Sequence, residues 1–456
     1  MNRFTMLQMP DAQRYWIRRA RVPVCFLPGG PKTDLDRDGA TLVDMLVDSE
    51  RIAAIEPAGA PASNDLPAIN LEAHQVWPSL IDMHAHLDKG HIVARTENPD
   101  GSFASALQST AEDRAKRWTA DDIKRRMEFG LRCAYVHGVA AIRTHLDSPE
   151  LDQAQRSWAV FRDTRAEWAD RVLLQAVALA PIDAFRTPYG EELADLVAAS
   201  DGVLGGVTRA ASGVHGRLLD DIDPLLDTIL RLALERGLDV DLHVDESGDP
   251  AAAALARVAA AVLRNRFRGR VVCGHCCSLA VQPEEQMRRT LDLCAEAGIA
   301  VVTLPTVNLY LQDRHSGRTP RWRGVAPVHE MRRRGIPVAI AGDNCRDPFH
   351  AYGDHDMVDT FRQAVRILHL DHPFADAAAM AGPVPQAIIQ AGQLGTIAKG
   401  GPARLILFNA RLLTNWCVAR NPIVSLSIAD YVYRRNYRIT ATSMAADTPD
   451  SRQGEN

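Results

Sequence analysis

Between residues 76 and 345 the chain alternates short apolar runs, rich in β-branched residues, with longer amphipathic or alanine-rich stretches. Eight such runs can be read: VWPSLIDMHAH (76–86), VAAIRTHLD (139–147), RVLLQAVALAP (171–181), GVLGGVT (202–208), LDVDLHVDE (238–246), RVVCGHCCS (270–278), IAVVTLPTV (299–307) and IPVAIAGDN (336–344). This rhythm predicts repeated strand–helix units and an α/β fold. Eight strands with crossover helices over 76–345 suit a closed parallel barrel, with an open doubly wound sheet as the alternative. One intervening stretch, TADDIKRRMEFGLRCAYVHG, reads as a helix that Thr119 caps and Gly138 ends.

Outside that stretch the texture changes. YWIRRARVPV and TLVDMLVDSERIAAIEPAG before it, and ARLILFNARL and YVYRRNYRI after it, read as short strands. They predict one small β-sandwich built from both ends of the chain, residues 1–77 and 398–440, around a barrel of 78–397. The polar tail 441–456 is expected to be disordered.

Net charge is −5, and the arginines are scattered among acids rather than gathered in a stripe, so nucleic-acid binding gains no support. No apolar run reaches the roughly 18 residues of a membrane span. The first residues lack the apolar core of a signal peptide, and eight cysteines are too few for a disulfide scaffold, so a reducing cytoplasm is expected.

Metal-capable residues sit at the C-terminal tips of the expected strands: His84 and His86 on the first, His145 on the second, His243 and Glu246 on the fifth, His275 on the sixth and Asp343 on the eighth. In a parallel barrel those tips converge on the face where active sites are built. Two residues apart on a strand, His84 and His86 point the same way, so both imidazoles can reach one ion at about 2.0 to 2.2 Å. With His243 and Asp343 they would complete a site with room for water, whose pKa such an ion lowers from about 15.7 to roughly 7. His145 and Asp88 are read as residues behind the ligands. Asp343 also has a plain reading as a turn residue in GDN.

Other motifs point elsewhere or nowhere. Cys273 and Cys276 form a Cys-x-x-Cys with no second pair at zinc-ribbon spacing, so they read as small buried apolar residues. Ser247 and Ser278 lie near histidines, but the chain has no GxSxG elbow, no Gly-rich phosphate loop and no His-x-Glu with Pro-Cys-x-x-Cys.

With HAHLDK, RTHLD, DLHVDE, GHCCS, TVNLYLQDR, RGVAPVHEMRRRGI and GDNCRDP in hand, the chain resembles the amidohydrolase superfamily and, within it, the cytosine deaminase branch. The resemblance implies a distorted (β/α)8 TIM barrel and a homo-oligomer. It also implies one divalent metal ion per chain, zinc or ferrous iron with manganese possible. By resemblance His84, His86, His243 and Asp343 are ligands, Glu246 carries a proton to a ring nitrogen, and His275 helps deprotonate water. Binuclear members use a carbamylated lysine on the fourth strand, and no lysine occurs between Lys124 and Lys399, in keeping with one metal.

The expected reaction is hydrolytic deamination of a nitrogen heterocycle: hydroxide attacks the amino-bearing carbon, Asp343 takes its proton, and Glu246 protonates the ring and then the departing ammonia. Cytosine deaminases read their ring with a glutamine where this chain has Pro181, and Asn344 stands where they carry a second Asp. DNCRD looks closer to the N-isopropylammelide amidohydrolases of the same branch, which lack a carboxylate like Glu246. Asn344 can donate and accept, which suits the lactam-like edge of a pterin, an oxidised purine or a triazine, with Leu87, Leu179 and Phe349 as candidates for the ring faces. A cyclic amidase or N-alkylamine hydrolase is the alternative activity, and a barrel that binds without catalysis is the alternative from another class.

Overall fold

The computed structural model describes residues 9–60, 65–211, 213–371, 374 and 376–411, and the strand Val424–Ser427. Five strands precede the repeating region: β1 (Arg14–Pro23), β2 (Ala40–Asp48), β3 (Arg51–Pro57), β4 (Ala68–Asn70) and β5 (Val76–Pro78). Eight parallel strands follow: β6 (Leu80–Ala85), β7 (Val139–Asp147), β8 (Leu173–Leu179), β9 (Leu204–Val207), β10 (Val240–Val244), β11 (Val271–His275), β12 (Ala300–Thr303) and β13 (Val338–Ile340). Two more, β14 (Arg404–Leu407) and β15 (Val424–Ser427), close the described chain.

The eight parallel strands form a sheet of three, β6-β7-β8, and a sheet of five, β9 to β13 in chain order. Both seams between these sheets are bridged. Val177 pairs with Val203 and Pro181 with Val207 beside β8 and β9, and Ala85 pairs with Asp343 just past the end of β13. Helices cover the outer face, as in Ala120–Val136, where the Thr119 side chain caps Asp122 N–H and Gly138 follows at a φ of +80°.

Two expected strands are reshaped. The run 76–86 splits at Ser79: Val76–Pro78 pairs antiparallel with β14, while Leu80–Ala85 joins the parallel strands. Burial explains the join, since Trp77 is fully buried with Phe26, Phe361 and Phe408 at ring distances of 5.1, 5.2 and 5.3 Å. The run 299–307 stops as a strand at Thr303, and Pro305 opens a helix to Leu311 at a position where its missing N–H costs nothing.

The two chain ends meet. β14 sits between β5 and β15, and a second, mainly antiparallel sheet runs β3-β2-β1-β4. Ile52 N–H donates to Gly401 and Ala403 N–H to Glu50 across the join. The expected strand YVYRRNYRI and the tail 441–456 lie outside the described residues. Among the described residues no helix is long and apolar enough to cross a membrane.

The pairing of β6 with β7 shifts register between Asp82 and Ala85, and Ile81 and Met83 pack in one apolar cluster with Ala141, Val272, Val302, Ile388 and Ile389. His84 and His86, two residues apart, are buried beside His145 and His243. Beneath them Arg143 donates to Asp241 at 2.9 Å, a paired charge in the buried polar floor.

Candidate metal centre and substrate cavity

Four donor atoms converge above that floor. His84 Nε2 lies 3.1 Å from His243 Nε2, which lies 3.5 Å from His86 Nε2. Asp343 Oδ1 stands 3.1 Å from His86 Nε2 and 3.7 Å from His84 Nε2. Imidazole nitrogens sharing a tetrahedral ion at about 2.0 to 2.1 Å stand about 3.3 to 3.4 Å apart, so this spacing fits ligation. All four residues are buried, and neither carboxylate oxygen of Asp343 has a hydrogen-bond partner. An unpaired buried carboxylate is costly, and a divalent cation held by the four donors would offset that cost. Burial holds the imidazoles of His84, His86 and His243 well below the ordinary histidine range, leaving them neutral as ligands must be.

Local backbone serves the same end. Asp343 sits at a φ of +65° and His275 at +68°, left-handed conformations that non-glycine residues adopt at a cost and that the surrounding structure must enforce. Asp343 N–H is held by His84 C=O at 2.7 Å. On β11, Gly274 lets the strand pass His84, since a Cβ there would stand 2.9 Å from the imidazole Cε1.

His145 packs directly against the donors. Its ring centroid is 3.9 Å from that of His84, and neither of its nitrogens has a partner. Asp88 sits behind the cluster, taking Asp147 N–H at 2.8 Å and the Ser157 hydroxyl at 3.3 Å, with its acid pushed up to about 7 by burial and by Asp147.

Glu246 and His275 face each other across the mouth, Oε1 to Nδ1 at 3.4 Å. Burial, then the neighbouring Asp343, drives the Glu246 carboxyl well above its ordinary range. Burial pushes His275 down to about 4, so its imidazole is neutral. Asn308, on the helix Pro305–Leu311, lies 3.0 Å from His275 Nδ1 and fixes the ring, while Nε2 is buried without a partner.

A cavity of about 340 Å³ opens above these groups, within the roughly 300 to 1,000 Å³ of small-molecule sites. His86, His243, Glu246, His275 and Asp343 reach it, and Leu179, Pro181, Asn344 and Phe349 line it, as the sequence suggests. Leu87 does not. It is fully buried, with Cδ2 2.9 Å from where Gly130 would carry a Cβ, because the chain turns into the core after His86. Asn344 is half committed, since its amide donates to Asp347 at 2.6 Å.

Sequence reasoning passed over three wall residues. Lys89 packs 4.6 Å over the Phe349 ring, with Asp147 at 3.9 Å. Arg209 donates to the carbonyls of Ala210 and Gly213 and keeps a buried Nε without a partner. Phe103 stands edge-on to Phe349 at 5.4 Å. Arg209 carried a usable signal, lying just beyond the fourth expected strand, where its guanidinium reaches the same face as the histidines.

The model of the amidohydrolase family matches residues 186–415. The pterin deaminase of Rhizobium rhizogenes strain K84 is 48% identical over 412 residues, 90% of this chain and 91% of the relative. The chain is an amidohydrolase. It therefore acts as a hydrolase of carbon–nitrogen bonds, and the expected deamination of a nitrogen heterocycle agrees with the relative of 48% identity. The N-isopropylammelide isopropyl amidohydrolase of Pseudomonas sp. strain ADP is 26% identical over 324 residues, 70% of this chain and 74% of that amidohydrolase. Among solved structures, 5-methylcytosine deaminase from Klebsiella pneumoniae superposes with a TM-score of 0.75 at 21% identity, covering 90% of this chain and 95% of that one. N-isopropylammelide isopropylaminohydrolase from Burkholderia multivorans gives 0.71 at 23%, covering 91% and 97%. These two amidohydrolase structures share the α/β fold of parallel strands.

Proposed function

We propose that this amidohydrolase hydrolyses the exocyclic amine of a pterin, releasing ammonia and leaving a carbonyl. The observation that carries the chemistry is Glu246, a buried carboxyl in the wall of the cavity, 3.4 Å from His275 and beside the convergent donors. Support for the ring comes from the 48% identical pterin deaminase. Pro181 in the wall leaves no side-chain amide there to read a pyrimidine. For the architecture we read the eight bridged strands as one distorted (β/α)8 barrel of residues 78–397. The terminal strands are read as a β-sandwich.

His84, His86, His243 and Asp343 would hold one divalent ion, zinc or ferrous iron by donor type, with manganese also compatible. When bound, such an ion supplies a water that ionises near neutral pH. Asp343 and His275 take up the proton of the attacking water. Glu246 passes its proton to the ring nitrogen beside the amino-bearing carbon, which lets an uncharged ring accept the electron pair. The proton taken by Asp343 then passes to the amine, ammonia leaves, and the proton of the newly added hydroxyl returns to Glu246 as the carbonyl forms. Arg209 and Lys89 supply donors for the ring carbonyl, and Asn344 Oδ1 is left to accept a ring N–H.

The test is ammonia release from pterins, cytosines, isoguanine, 8-oxopurines and aminotriazines, with enzyme loaded separately with zinc, iron or manganese. Pterins are expected to turn over, and Glu246→Gln should lower turnover about 10²- to 10⁴-fold with metal content unchanged. Ammonia from another ring class alone would overturn the substrate. Release of an alkylamine instead would turn the reading toward N-substituted amines.

A further inference from the structure

A second set of metal-capable side chains lies outside the substrate cavity. His91 Nε2 stands 3.1 Å from His355 Nε2, the same separation as between His84 and His243. Cys345 Sγ joins them, with the three donor atoms all within 4.8 Å of one another. None of the three lines the cavity above the catalytic donors. We propose that His91, Cys345 and His355 bind a second, structural metal ion of borderline or soft character, zinc being the fitting choice for one thiolate and two imidazoles.

Three independent features support a built site. Both histidines are held at positive φ, 62° for His91 and 59° for His355, left-handed conformations that cost non-glycine residues strain. The imidazole of His355 occupies space left by Gly130, where a Cβ would stand 3.0 Å from Nε2. His91 N–H is bonded to Cys345 C=O at 3.1 Å and Val93 N–H to Arg346 C=O at 2.9 Å, so the backbone already lays one loop along the other.

Position gives the ion its role. His91 follows the turn that begins at His86, where Gly90 N–H returns to His86 C=O at 3.0 Å. Cys345 comes two residues after Asp343, and His355 ends the segment that also carries Asn344, Asp347 and Phe349. An ion held by all three would clip together the two loops that leave the first and last parallel strands, and so fix His86 against Asp343.

This inference does not depend on the substrate, and its test is spectroscopic. The catalytic donors include no sulfur, so cobalt(II) there gives no thiolate-to-metal charge-transfer band, whereas cobalt on Cys345 does. Full-length protein stripped with chelator and titrated with cobalt should take up two equivalents per chain and develop that near-ultraviolet band. Cys345→Ser should lose the band and one equivalent while keeping the other. Zinc analysis of the reloaded proteins should read two and one. If Cys345→Ser does not fold, His91→Asn and His355→Gln make the same test, each expected to lose the second equivalent. One equivalent in the wild-type protein, or a band that survives Cys345→Ser, would overturn the site and leave an imidazole–imidazole hydrogen bond in its place.

Discussion

The donors of the metal centre and the wall of the cavity above them are built from different parts of the chain. His84 and His243 lie on strands, with His86 and Asp343 within a few residues of strand ends, so sheet pairing fixes where they point. The wall comes from loops and loop-borne residues, Lys89, Arg209, Asn344 and Phe349, held by contacts such as Arg114 to Asp147 at 2.7 Å and Asn344 to Asp347. On the proposed function, chemistry would be carried by the strand-borne layer and ring choice by the loop-borne one. Variants of the two regions should fail in different ways.

The largest effect should come from the donors. His243→Ala removes the nitrogen that lies within 3.5 Å of both other imidazoles, so the catalytic metal equivalent and turnover should vanish together. Metal analysis beside an ammonia assay checks this, and full metal content with lost turnover would break the assignment of the four donors.

A wall variant should spare the metal. Arg209→Met removes a charged donor worth about 1.5 to 3 kcal/mol, so kcat/KM should fall about 10- to 100-fold through KM, with metal content unchanged. Loss of kcat alone would place Arg209 with the chemistry, and the division between the two regions would need redrawing.

The same division explains what the sequence disclosed. His84, His86, His243, His275 and Asp343 were legible because a β-strand period and a strand end fix position without knowledge of the rest of the chain. Phe103 was not, because the path of the loop between strand ends decides whether it meets the cavity. Leu87 was misplaced for the same reason, as one turn after His86 sends it into the core. The split of the run 76–86 was illegible too. Its apolar pattern is continuous through Ser79, and the change of sheet is set by pairing Trp77 with Ile406, more than 300 residues away.

The smallest predicted effect tests whether the loops are held by titratable contacts. His137 caps the helix Ala120–Val136 and faces Asp354 and Asp356 at 3.4 Å each, at the end of the segment that carries Asn344 and Phe349. The hydrogen bond to Asp354, helped by Asp356, raises the imidazole above its ordinary value in spite of burial. A raised folded-state pKa means stability that is fully present below the unfolded value of about 6.5 and lost as pH climbs through the folded one. The wild-type melting midpoint should therefore drop between pH 6 and pH 9 by more than that of His137→Gln, and the two should converge at the alkaline end. The ion pair is partly exposed, so salt should shrink the difference. Over the same range the catalytic metal equivalent should hold steady, because strand pairing rather than this charge positions its donors. If raising the pH instead released that metal in step with the midpoint, the loops and the donors would be one cooperative unit, and their separate failure in the first two variants would lose its physical basis.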